Sequence, residues 1–241
     1  MKRVILMTLL TALALMADFA PAPYQTTLEG NVTQSIEIAD PGIAVGSSGI
    51  VLHAFDEQHK AIIATAVVTD KKEGKLTIHF QKFKRLQQRA LPEYKIKPKA
   101  GDILILNYLY NRVLPVVPDE AHFKAFSRST KAEVLHPDLF ASMLYFDHNP
   151  KPDRGDFQAI CRQYDFNLLY FAVADQGNYV DCTTFKVLHS EPLADKVDSQ
   201  KAQKPFYSRM PKIKNRLGGI MGGESIGDYN RYYRKLLKLE K

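Results

Sequence analysis

The chain has 241 residues with two cysteines and no tryptophan, and 33 basic against 26 acidic side chains give it a formal charge of +7. That length suits one large domain or two small ones around a real apolar core. Beyond the first 17 residues no segment is apolar enough to span a bilayer, which excludes a helical integral membrane protein and leaves a soluble or peripheral one. The charge is unevenly placed: residues 201–241 hold eleven basic and three acidic side chains, whereas 18–200 hold twenty and twenty-three.

Residues 1–17 are expected to be a secretory signal peptide. Lys2 and Arg3 form a positive start and Val4 to Met16 an uncharged, mostly apolar run, shorter than the roughly 20 residues of a membrane span. Ala12, Ala14 and Ala17 offer small residues for cleavage, and Pro21 and Pro23 end any helix. An uncleaved N-terminal anchor is the alternative. Residues 18–33 read as a polar leader arm.

From Gln34 the pattern turns to β, and residues 34–112 are expected to be a β-rich domain. Ser35 to Ile38 alternates, Ile43-Ala44-Val45 leads into the turn Gly46-Ser47-Ser48-Gly49, and Ile50 to Phe55 resumes the extended pattern. Ala61 to Thr69 is β-branched, Asp70 to Gly74 is a charged turn, and Leu76 to Phe80 alternates with period two. Gly101-Asp102 opens Ile103 to Leu106. Short strands at regular spacing predict a small β-barrel or sandwich.

After a boundary near 107–118, residues 113–190 read as a small α+β domain. Val113 to Val117 is strand-like. Asp119 caps a helix from Glu120 to about Lys131, Pro137 starts a second with Leu139, Phe140, Met143 and Leu144 buried, and Asp153 or Asp156 starts a third carrying Phe157, Ile160, Cys161 and Tyr164. Three short strands follow at 167–173, 179–182 and 185–188. The fold class expected is therefore α+β: a small barrel or sandwich, a unit of three helices and three strands, and a C-terminal amphipathic helix.

Residues 191–241 are expected to be a basic, flexible tail ending in that helix. Asp228 caps it, Tyr229, Tyr232, Tyr233, Leu236 and Leu237 share one face, and Arg231, Arg234, Lys235 and Lys238 take the other. The helix would pack on the domain, lie on a membrane surface or bind a partner. A basic tail attracts an anionic lipid surface or an acidic envelope protein, and export argues against nucleic acid.

In an exported chain, Cys161 and Cys182 are expected to form a disulfide joining a helix to the end of a strand. No catalytic residue, metal site or cofactor is expected. The sequence lacks G-x-S-x-G, H-E-x-x-H, phosphate-loop and dinucleotide signatures. Leu217 to Ser225 is glycine-rich without the Lys-Ser/Thr ending of a phosphate loop and reads as linker. His53, His59, His79, His122, His136, His148 and His189 include no i, i+4 pair, and the cluster Asp147, His148, Asp153 and Asp156 reads as turn chemistry.

Several stretches, taken in order, resemble the N-terminal domain family of plasminogen-binding protein A, a bacterial cell-envelope family. They are Val45 to Val51, Ala90-Leu91-Pro92, Gly101-Asp102, Asn107 to Arg112, His136 to Ala141, Asn149-Pro150 and Val180 to Phe185. The resemblance covers roughly residues 40–190. It implies a surface or envelope protein able to bind host plasminogen; with the signal peptide this gives an exported protein of the periplasm or the cell surface and outer membrane, and without a catalytic constellation no enzyme is expected. Kringle modules bind lysine in an anionic, aromatic-lined pocket, so Lys241 is the expected main ligand, with Lys238 and Lys235 secondary. A periplasmic structural or assembly protein docking to an envelope partner is the other reading.

Overall fold

The computed structural model describes residues 19, 21–85, 96–215 and 225–239. The expected signal peptide, Ala90-Leu91-Pro92, Lys241 and the glycine run up to Glu224 lie outside the described residues.

The first sheet is built from β1 (Tyr24–Thr27), β2 (Ser35–Ala39), β3 (Ser48–Ala54), β4 (Lys60–Lys72), β5 (Lys75–Lys82) and β6 (Ile103–Leu106). All pairings are antiparallel, in the order β1-β6-β3-β4-β5-β2. The period-two runs place Val51, Val68, Leu76, Ile78, Phe80, Leu104 and Leu106 in one buried cluster, roofed by Leu28 and Ile43. β4 and β5 close through Glu73 and Gly74, both with positive φ (49° and 73°), the backbone that a two-residue hairpin needs. β1 and β2 are opposite edges that do not pair, so the sheet is an open half-barrel.

The second sheet joins β7 (Arg112–Val116), β8 (Glu133–Val134), β9 (Leu168–Val173), β10 (Gln176–Asp181) and β11 (Val187–Pro192) in the order β11-β10-β9-β7-β8. β7 runs parallel to β8 and β9, and the other pairings are antiparallel. Asn111 and Val113 turn their carbonyls toward β8, so by alternation Pro115 faces the same side. Proline has no N–H to extend that ladder, and β8 stops at two residues. The connections carry α1 (Glu120–Ser129), α2 (Asp138–Phe146) and α3 (Arg154–Gln163). Asp119 accepts from the His122 N–H at 2.9 Å, and Asp153 and Asp156 form a reciprocal capping box, which absorbs those two carboxylates of the 147–156 cluster into helix capping.

Four sequence expectations are corrected. The class is not α+β: among the described residues, eleven strands in two sheets carry the architecture and the four helices have only nine or ten residues each. The N-terminal part is a half-barrel rather than a closed barrel or sandwich. The second unit has five strands, not three: the strand-like run Val113 to Val117 joins its sheet as β7, and the two-residue β8 carries no local signal. The supposed leader arm contributes edge strand β1, whose half-exposed polar pattern conceals it.

Described residues of the 191–241 segment enter the second core. Val197, Ala202, Phe206 and Ile213 are buried in the second core, and Phe206 stacks on Phe140 with ring centroids 5.2 Å apart. Gln203 and Tyr207 donate their N–H groups to the carbonyls of Pro118 and Val117 at 2.8 Å each. The last helix, α4 (Tyr229–Leu237), packs on the same core.

Candidate functional site

Polar and charged groups gather at the junction between the sheets and on the outer face of α4. At the junction, Asp181 ends β10 fully buried, and its carboxylate gathers donors from both sheets. Oδ2 accepts from Ser48 Oγ of β3 at 2.6 Å, from the Tyr110 hydroxyl at 2.6 Å and from Asn167 Nδ2 at 3.2 Å. Oδ1 accepts from the Thr184 N–H at 2.5 Å. Asn167 also donates to Ser48 Oγ at 2.7 Å and accepts from Thr183 Oγ1 at 2.9 Å, and Thr184 Oγ1 reaches across to the Gly46 carbonyl at 2.7 Å. Burial pushes the Asp181 carboxyl above the ordinary carboxylate range, while its hydrogen bonds favour the anion. Burial beside that carboxylate holds the Tyr110 hydroxyl well above its usual value, so it remains a donor.

The sequence fits this geometry closely. A Cβ at Gly49 would lie 2.1 Å from the Ile105 carbonyl oxygen, so only glycine lets β3 approach β6 beside Ser48. One residue beyond Asp181, Cys182 bonds to Cys161 of α3 with an S–S distance of 1.96 Å, which is the expected disulfide. Three of the quoted stretches, 45–51, 107–112 and 180–185, therefore converge on one buried network. Sequence reading singled out the cysteines and missed Asp181, Asn167 and Ser48, which lie as far as 133 positions apart.

α4 is fastened on one side and open on the other. Tyr229, Tyr233 and Leu237 are buried. The tyrosine hydroxyls of 229, 232 and 233 donate to the carbonyls of Val116 (3.1 Å), Pro152 (2.8 Å) and Pro205 (2.8 Å), three separate segments. Burial pushes the Tyr232 hydroxyl up to about 12 and holds those of Tyr229 and Tyr233 well above their usual value, so all three stay protonated. Asn230 adds a fourth anchor, accepting from the Ala174 N–H at 2.8 Å and donating to the Val197 carbonyl at 3.0 Å. The opposite face carries Arg231, Arg234, Lys235 and Lys238, all exposed.

Lys71, Lys72, Lys75, Lys124 and Lys201 are each tied to an acidic side chain. Lys235 and Lys238 make no such pair among the described residues. Lys238 ends the helix in the left-handed region at φ 58°, which holds it clear of the last turn. No helix among the described residues is long and apolar enough to cross a membrane.

A family model described as "Plasminogen-binding protein pgbA N-terminal" matches residues 25–237. The chain is also similar to the plasminogen-binding protein PgbA of Helicobacter pylori (strain ATCC 700392 / 26695), with 25% identity over 202 residues, covering 83% of this chain and 43% of that relative. The chain thus spans less than half the length of the relative. No solved structure matches.

Proposed function

The chain belongs to the plasminogen-binding protein pgbA N-terminal family, and from that premise we propose that it binds plasminogen through lysine ammonium groups on the outer face of α4. The observation that carries the site is the division of that helix: three tyrosine hydroxyls and Asn230 fix one face, and on the other Lys235 and Lys238 stand exposed, with no acidic partner among the described residues. A fixed helix lowers the entropy of presenting a flexible side chain, and a lysine stem with a free ammonium is what a kringle pocket encloses. Lys241, outside the described residues, belongs to the same basic segment and is included as a ligand.

The test is plasminogen binding to the immobilised full chain, with and without 6-aminohexanoic acid as a lysine analogue. The analogue is expected to abolish binding, and sodium chloride of matching ionic strength to weaken it only in part. Binding that the analogue leaves unchanged would overturn the lysine mechanism.

Export belongs to the same proposal, since a plasminogen-binding surface must meet a protein outside the cell. It is supported by the basic start and apolar run of residues 1–17 and by the disulfide, which persists in oxidising compartments. Protein recovered from native cells is expected in the envelope fraction, beginning just after Ala14 or Ala17. Intact Met1 in the cytoplasmic fraction would contradict this.

A further inference from the structure

Between the end of β5 and the C-terminal end of α3, the two sheets leave a cleft of about 480 Å³. Its floor is the outward side of the junction: Ser48, Asn167, Thr183 and the cysteines of the disulfide. Its rim is cationic, with Lys82, Lys84 and Arg85 from the segment that ends β5 and Arg162 from α3. Gln81, Tyr108 and Gln158 line the same opening with neutral polar heads.

Arg85 holds the cleft's deepest charge. Its Nη2 donates to the carbonyls of Cys161 and Phe166 at 2.5 Å each, capping the C-terminal end of α3. Its Nε is buried without a hydrogen-bond partner and lies 3.5 Å from Asp165, whose own side chain is 65% exposed. Desolvation weakens the hold of Arg85 on its proton, the Asp165 charge opposes this, and the nearby Arg162 charge weakens the hold further. Lys84 and Arg162 are exposed, and neither side chain makes a hydrogen bond or ion pair among the described residues.

We infer that this cleft binds a small multivalent oxyanion of the size of a sugar phosphate or a tricarboxylate. Its volume lies in the range of small-ligand sites. Guanidinium and ammonium groups that converge on a concave surface concentrate an anion there, and arginine matches carboxylate and phosphate oxygens in a bidentate fork. The exposed Lys84 and Arg162 offer such an anion an ammonium and a guanidinium group, and the polar rim residues suit its hydroxyl groups. None of the basic residues of α4 lines this cleft, so the site is independent of plasminogen binding.

The test is calorimetric titration of the full chain at low salt with inorganic pyrophosphate and with citrate. At least one is expected to bind, and Lys84→Glu/Arg162→Glu to weaken that binding by about tenfold or more. Arg162→Ala alone should weaken it less, and α4 variants should leave it unchanged. Both substituted side chains are exposed, so the fold should persist; an unchanged circular dichroism spectrum checks this. Binding of pyrophosphate alone assigns a phosphate ligand, and of citrate alone a carboxylate. Binding of neither, or equal binding by the Lys84→Glu/Arg162→Glu chain, would overturn the inference.

Discussion

Asp181→Ala is expected to destabilise the folded chain by about 4 kcal/mol in urea unfolding. The substitution removes the acceptor of four hydrogen bonds in a buried site, from Ser48, Tyr110, Asn167 and Thr184. A buried donor left unpaired costs about 1–3 kcal/mol, so four independent losses would cost about 4–12 kcal/mol. The loss is smaller because Asn167 and Ser48 already bond to each other, and because the variant no longer desolvates a carboxyl. Asp181→Asn should lose less, since its amide oxygen keeps accepting. Folded domains hold only about 5–15 kcal/mol in total, so the alanine variant should unfold at a much lower denaturant concentration. Because Asp181 ends β10 and Ser48 sits on β3, the half-barrel and the second sheet are then expected to unfold in separate transitions. A loss below about 1 kcal/mol would show that the network does not join the sheets.

The disulfide supplies the next largest effect. Cys161 and Cys182 are 21 positions apart, and closing a loop of that length stabilises a chain by about 3 kcal/mol through the entropy of the unfolded state. Cys161→Ser/Cys182→Ser, or reduction with dithiothreitol, should therefore lower the unfolding midpoint substantially. Combined with Asp181→Ala, the losses should not add, because Cys182 adjoins Asp181 and its N–H donates to the Asn167 carbonyl at 3.0 Å. An unchanged midpoint after reduction would place the stabilisation elsewhere.

What the sequence could reveal follows from the range of the signal. Leu76 to Phe80 alternates because one face of β5 is buried, and Asp119, Asp153 and Asp228 mark helix starts because a cap acts within three residues. The division of α4 was equally legible, since buried tyrosines and exposed basic groups recur at helical spacing. β1 was not, because an edge strand with one neighbour needs no apolar alternation. Nor was the packing of 193–213, where Val197, Ala202 and Phe206 enter the core from an irregular segment without period. The Asp181 network had no local trace: Ser48, Tyr110, Asn167 and Asp181 meet only once both sheets have formed. The basic cleft was hidden for the same reason, as its cations come from β5 and α3, about 80 positions apart.

On the reading proposed above, lysines on a fixed helix, rather than positive charge in general, capture plasminogen. The direct measurement compares two variants in the same binding assay. One carries Lys235→Ala, Lys238→Gly and Lys241→Ala; glycine suits the left-handed backbone at 238, so the helix end should survive. The other carries Arg231→Ala and Arg234→Ala, which discharge the same exposed face. The lysine variant is expected to bind about tenfold or more weakly, as loss of a dominant contact would produce, and the arginine variant within about threefold of the parent. Equal losses in the two variants, or full binding by the lysine variant, would contradict the claim.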